Sequence, residues 1–222
     1  MSGHAHVHGA PAAPGRTAAP AWRLVATIAL GGAFAGALVA YVYDRTLPAI
    51  QRYADARIEG AVREVLAGPV RLDTLYLVGE ALSRTPPAGV ELRETTRAYV
   101  GYDGNGSRIG VAVEAGAPGF ADEVRLIVGF NPATSALTGY AVLSQKETPG
   151  LGDKIAKDTA FLGRFRGKVA PLSGTKNSTT GGSMVQTITG ATISSRAVIR
   201  IINEAVARWQ PRLAAFDRQG IR

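Results

Sequence analysis

Between residues 24 and 43 the chain carries no charge and few polar groups, a run unlike anything that follows it. About 20 residues at roughly 1.5 Å rise each match the ~30 Å hydrocarbon core of a bilayer. Trp22 stands at one end and Tyr41 and Tyr43 at the other, as in interfacial aromatic belts, with Arg23 and Arg45 flanking the run. The pattern predicts a transmembrane helix over residues 22–45. A cleaved secretory signal would have a shorter apolar region ending at an Ala-x-Ala type site. Here the run ends in Tyr41-Val42-Tyr43-Asp44, so the segment reads as an uncleaved anchor. Gly32 and Gly36 give it a small-xxx-small face suited to close helix contact. Upstream, residues 1–21 are rich in Ala, Pro and Gly and read as a disordered tail. Basic residues lie on both sides of the span, so their count does not orient it.

Beyond the span the hydrophobic period changes repeatedly. Ile50, Tyr53, Ile58, Val62 and Leu66 recur at helical spacing before Gly68-Pro69, predicting an amphipathic helix over residues 50–66. A short helix is expected at 73–82, ahead of Pro86-Pro87. Residues 98–102 and 108–115 flank Asp103-Gly104-Asn105-Gly106 and read as a hairpin; 123–130 and 137–144 form a second strand pair across Asn131-Pro132. A loop at 145–154 leads to a helical stretch near 158–165. A polar glycine-rich loop at 175–183 precedes a strand at 184–188. Ser194 or Ser195 is expected to cap a last helix running through Trp209 and stopped by Pro211. The fold class is therefore α+β: an N-terminal anchor, then a domain over 46–222 with a mostly antiparallel sheet and flanking helices.

Composition narrows the chemistry. With 25 Lys+Arg against 17 Asp+Glu the net charge is +8. Basic residues are not interleaved with aromatic ones as in a single-strand binder, so nucleic acid is not an expected partner. An anionic lipid surface or an anionic cofactor suits the excess better. There is no cysteine, which excludes iron–sulfur ligation by this chain's own thiolates, thiol catalysis and disulfides. Histidine occurs only at His4, His6 and His8, in the tail. Zinc–histidine sites and Ser-His-Asp catalysis are thereby excluded from the folded part. The Asp103 turn resembles a calcium loop but lacks its later glycine and closing glutamate. No metal site and no catalytic residue is expected.

Two loops could carry chemistry. Glu147-Thr148-Pro149-Gly150-Leu151-Gly152 combines a carboxylate, a hydroxyl and two glycines around one leucine. Such a loop can lie against a planar ring, the leucine on its face and backbone N–H groups on its polar edge. It can equally be an ordinary strand-to-helix turn. Thr189-Gly190-Ala191-Thr192 opens the last helix, where free N–H groups and the helix dipole favour a phosphate; a hydroxyl-rich helix start is the plain alternative. Each loop abuts a strand end, so both are expected to face one shallow groove.

Together with the anchor, these loops resemble the G subunit of the Rnf electron-transport complex, a relative of the C subunit of sodium-pumping NADH:quinone reductase. The resemblance implies an FMN-binding domain whose FMN phosphate is esterified to Thr192, with Glu147, Thr148 and Leu151 at the isoalloxazine ring. Gly150, Gly152, Thr189, Gly190 and Ala191 complete the implied cofactor-binding set. It further implies a single-pass protein of the bacterial inner membrane with its FMN domain on the extracytoplasmic side. The expected role is electron relay in an ion-translocating ferredoxin:NAD oxidoreductase, as a redox subunit rather than an enzyme on its own. The expected partners are the other membrane and iron–sulfur subunits, and a flavin transferase for maturation. Glu147 is left either to titrate with the flavin or to orient it. One position departs from the family pattern: Gln186 stands where an acidic residue usually lies six positions before the modified threonine. A membrane-tethered non-redox scaffold or ligand sensor, or the C-type quinone reductase subunit, is the alternative.

Overall fold

The computed structural model describes residues 20–90, 95–177 and 182–219. The tail with His4, His6 and His8, and part of the 175–183 loop, lie outside the described residues. Two compact units divide the chain after Arg52. A single helix, α1 (Ala21–Val65), takes the place of the expected anchor and separate amphipathic helix. It is long and apolar enough to cross a membrane. Pro48 lies inside it. A proline there forfeits one backbone hydrogen bond and costs about 3 kcal/mol, but helical pattern on both sides carries the helix through.

The second unit is built on a six-stranded sheet ordered β2-β1-β3-β4-β5-β6, with antiparallel neighbours throughout. The strands are β1 (Arg71–Val78), β2 (Ala81–Ser83), β3 (Arg97–Tyr102), β4 (Arg108–Pro118), β5 (Glu123–Phe130) and β6 (Leu137–Ser144). The helix expected at 73–82 is instead the β1–β2 hairpin. Its two-residue turn, Gly79-Glu80, puts Gly79 at φ +62°, a conformation glycine adopts without strain. Pairing of β1 along β3 from Arg71 to Tyr76 supplies the backbone partners that decide for strand. The two hairpins expected downstream are present, and Asp103 closes its turn itself: Oδ1 accepts from the N–H groups of Asn105 and Ser107 at 2.9 and 2.8 Å.

Short α2 (Lys154–Lys157) and α3 (Thr159–Gly163) follow the sheet, then β7 (Ser173–Thr175) and β8 (Met184–Gln186) as a parallel pair. The chain closes with α4 (Thr192–Arg218). This helix does not stop at Pro211, because Leu213 and Phe216 beyond it are buried in the core. Burying such side chains contributes about 1.5–3 kcal/mol each, enough to offset a missing backbone bond on the outer side. Val198, Ile201, Ile202, Ala205 and Trp209 pack on one sheet face, against Val113, Leu126, Val128 and Phe130.

The other face receives the end of α1. Val62, Val65 and Leu66 pack with Ala112, Ile127 and Leu143. Close approach depends on glycine: a Cβ on Gly101 would come within 2.9 Å of Leu66 Cδ1, and one on Gly129 would collide with Val65 and Thr138. Gly129→Ala is therefore expected to destabilise the protein by about 1–3 kcal/mol, read by thermal unfolding. An unchanged melting temperature would show that α1 yields there.

Tyr140, on β6, is buried, sits edge-on to Phe165, and donates its hydroxyl to the Ile155 carbonyl at 2.7 Å. Burial, with a lesser contribution from Asp158, pushes its phenol well above the ordinary 10.0. The folded state thus holds this proton more tightly than the unfolded chain. Its stabilising effect is complete below pH 10.0 and is lost as pH rises from there towards the folded value. Tyr140→Phe should cost about 1 kcal/mol at neutral pH and flatten that alkaline loss, measured by unfolding across a pH series.

Candidate functional site

Strand β6 ends at Ser144 and releases the chain into the 145–153 loop; β8 ends at Gln186 and leads through Thr187-Ile188 to the start of α4. Two tight turns shape these segments, with Gly150 at φ +77° and Gly190 at φ +82°. A Cβ on Gly190 would stand 3.2 Å from Leu151 Cδ2, so the leucine of one loop lies against the glycine of the other.

The predicted serine caps are absent. Ala191 occupies the N-cap and offers no side-chain acceptor, and the first turn holds no acid. Ser195 turns its hydroxyl inward, donating to the Ala191 carbonyl at 2.9 Å and accepting from the Ile188 N–H at 3.0 Å. Ser194 donates its hydroxyl to Glu147 Oε2 at 2.5 Å. The N–H groups of Thr192, Ile193 and Ser194 consequently have no protein acceptor among the described residues. They leave the positive end of a 27-residue helix open to an anion.

Glu147 ties the site together. It is 4% exposed. Its Oε1 accepts from the N–H groups of Phe120 and Ala121 at 2.9 and 3.2 Å, and its Oε2 takes the Ser194 hydroxyl. One carboxylate thereby joins the β4–β5 connection, its own loop and α4. Gly119 and Gly152 make room for it: a Cβ on Gly119 would strike Oε1, and one on Gly152 would lie 2.9 Å from Oε2. Around it, a hydrogen bond from Lys146 holds the Asp122 carboxyl below its usual range, and one from Lys157 does the same for Asp153.

An open groove of about 390 Å³ lies over this assembly. Glu147, Thr148, Leu151 and Gly152 line it from one loop, and Gly190, Ala191 and Thr192 from the other, so the two loops face one groove. Gly150 and Thr189 are exposed and lie outside the lining. Phe120, Ile193 and Ser194 also line it. Phe120 was not legible, because its place depends on its backbone N–H, which every residue but proline carries. A larger groove of about 720 Å³, lined by Arg71, Tyr102, Arg108 and Asp217 among others, contains neither loop. Among the described residues no group of three or more His, Cys, Asp or Glu side chains could hold a metal. Gln186 sits in β8 and accepts from Arg164 through its backbone carbonyl at 2.8 Å.

The groove fits a phosphate-bearing planar cofactor on its own chemistry: an uncapped helix start beside Thr192, a glycine turn that Leu151 covers, and apolar walls. Similarity to known proteins defines the class. The family description "FMN-binding domain" matches residues 119–207, which contain both loops and the Phe120 segment. The solved C subunit of the Na(+)-translocating NADH-quinone reductase from Parabacteroides distasonis shares the fold. Its TM-score is 0.57 at 17% identity, over 74% of this chain and 94% of that one. The G subunit of the ion-translocating oxidoreductase complex of Methanosarcina acetivorans is 31% identical over 83% of this chain and 92% of its own length. In Acetobacterium woodii, the G subunit of the Na(+)-translocating ferredoxin:NAD(+) oxidoreductase complex is 36% identical over 53% of this chain and 56% of its own. The chain belongs to the family of G subunits of ion-translocating oxidoreductase complexes.

Proposed function

We propose that this protein holds FMN covalently, its phosphate esterified to Thr192, and relays electrons within an ion-translocating ferredoxin:NAD oxidoreductase complex of the Rnf type. The observation that carries the reading is the meeting of the two loops in one groove, with Thr192 on an α4 start that has no side-chain cap. FMN supplies the one- and two-electron chemistry when bound; the protein supplies attachment, orientation and electrostatics. Thr192 provides the ester oxygen, and the open N–H groups of the first turn of α4 offset phosphate charge. Leu151 and Thr148 stand where a ring face and polar edge can meet them. Glu147 holds the segments in register.

The ester secures the cofactor in a groove too open to retain it by enclosure. On this reading α1 is a single-pass anchor in the inner membrane, and the FMN domain lies on the extracytoplasmic side. The other membrane and iron–sulfur subunits are its redox partners, and a flavin transferase installs the cofactor. The test is peptide mapping by mass spectrometry of protein from its own host. An FMN mass on the peptide containing Thr192, with flavin fluorescence surviving a denaturing gel, is the expected result. Protein without added mass or fluorescence would refute the covalent reading.

A further inference from the structure

Three large apolar side chains stand open around the groove: Phe120 is 63% exposed, Ile193 56% and Leu151 46%. Single exposed hydrophobic residues need no explanation, but three gathered on one groove form a patch awaiting cover. They come from three separate segments, so the gathering is a product of the fold rather than of one apolar stretch. Phe120 has the firmest support beneath it. Its own N–H and that of Ala121 bond the buried Glu147 carboxylate, and the Gly119 N–H bonds the Asp122 carbonyl at 2.8 Å. Gly119 has no space for a side chain beside Glu147. The loop is therefore pinned at its backbone while its aromatic ring is left open on the groove. Aromatic rings favour stacked or edge-on partners of their own kind, and a planar heteroaromatic ring meets that preference.

We propose that Phe120 is a ring-contacting residue of the flavin site, completing with Leu151 and Ile193 an apolar seat for the isoalloxazine. This rests on the FMN reading above. Glu147 acts on the ring through Phe120 as a positioning residue, since its carboxylate is occupied by Phe120, Ala121 and Ser194.

The experiment uses full-length protein carrying attached flavin, purified in detergent, with Phe120→Trp as the reporter. An indole in contact with an excited flavin donates an electron that returns at once, leaving both rings unchanged and the emission quenched. Val70→Trp is the control: Val70 is 73% exposed and hydrogen-bonds Tyr102 at the opposite end of the sheet from the 118–122 loop. The expected result is a several-fold loss of native flavin fluorescence with a shortened lifetime in F120W, recovered on denaturation, and wild-type emission in V70W. Wild-type emission from flavin-loaded F120W would overturn the assignment. Phe120→Ala gives a second measure, because loss of the contact should free the ring and lower its fluorescence anisotropy. Anisotropy unchanged from wild type would overturn the assignment equally. Flavin attachment is scored separately on denaturing gels, so wild-type protein without attached flavin would defeat the parent reading and not be confused with failure of the contact.

Discussion

Thr192→Ala is expected to remove covalent flavin completely while leaving the fold and membrane insertion intact. The substitution deletes the one oxygen to which the phosphate is proposed to be joined. Little else depends on it. Thr192 is the first residue of α4, half-buried, with no side-chain hydrogen bond among the described residues. Alanine is the better helix former there, so stability should stay within about 0.5 kcal/mol of wild type. Flavin fluorescence on a denaturing gel and intact mass would report attachment, and thermal unfolding the fold. Thr192→Ser keeps a hydroxyl in the same place and should restore attachment. If T192A retained covalent flavin, the ester would lie elsewhere. The geometry already ranks the substitutes. Ser194 and Ser195 are buried, with hydroxyls committed to Glu147 and the Ala191 carbonyl, whereas Thr189 is exposed. Thr189→Ala would then be the deciding variant.

The sheet was legible wherever turn chemistry marked it. Strands at 123–130 and 137–144 were expected at the residues where β5 and β6 are found, because runs rich in Val, Leu, Ile, Phe and Tyr on either side of Asn131-Pro132 mark them. Edges were harder. β1 and β2 were expected as a helix, since Leu75, Val78 and Leu82 stand at helical spacing, and only pairing with β3 makes the segment a strand. Pro211 misled: it was expected to stop α4 and instead lies inside it, as Pro48 lies inside α1, because the flanks of each helix supply the preference to continue. The groove was half legible. Glycine and hydroxyl residues signal a loop that approaches something closely, so its two main segments could be named. The third segment could not, because Phe120 is bound to the site by a backbone N–H.

That same tie sets the second large effect. Glu147→Ala should destabilise the folded unit by about 2–4 kcal/mol, since three hydrogen bonds to one charged acceptor are lost together. The loss exceeds that of a surface carboxylate because Glu147 is 4% exposed and the Ser194 hydroxyl it leaves is 3% exposed. For a unit of this size that corresponds to a melting temperature lower by roughly 5–15 °C. The damage should be local before it is global, with faster amide hydrogen exchange at Phe120 and Ala121, whose N–H groups lose their acceptor. Glu147→Gln separates charge from shape: its amide oxygen can still accept from both N–H groups, and its amide nitrogen can donate to Ser194. E147Q should therefore fall between wild type and E147A. Equal losses in the two variants would show that the negative charge is what holds the loops together. Wild-type melting and exchange in E147A would mean that packing alone keeps the three segments in place, and the carboxylate would then need another role in the groove.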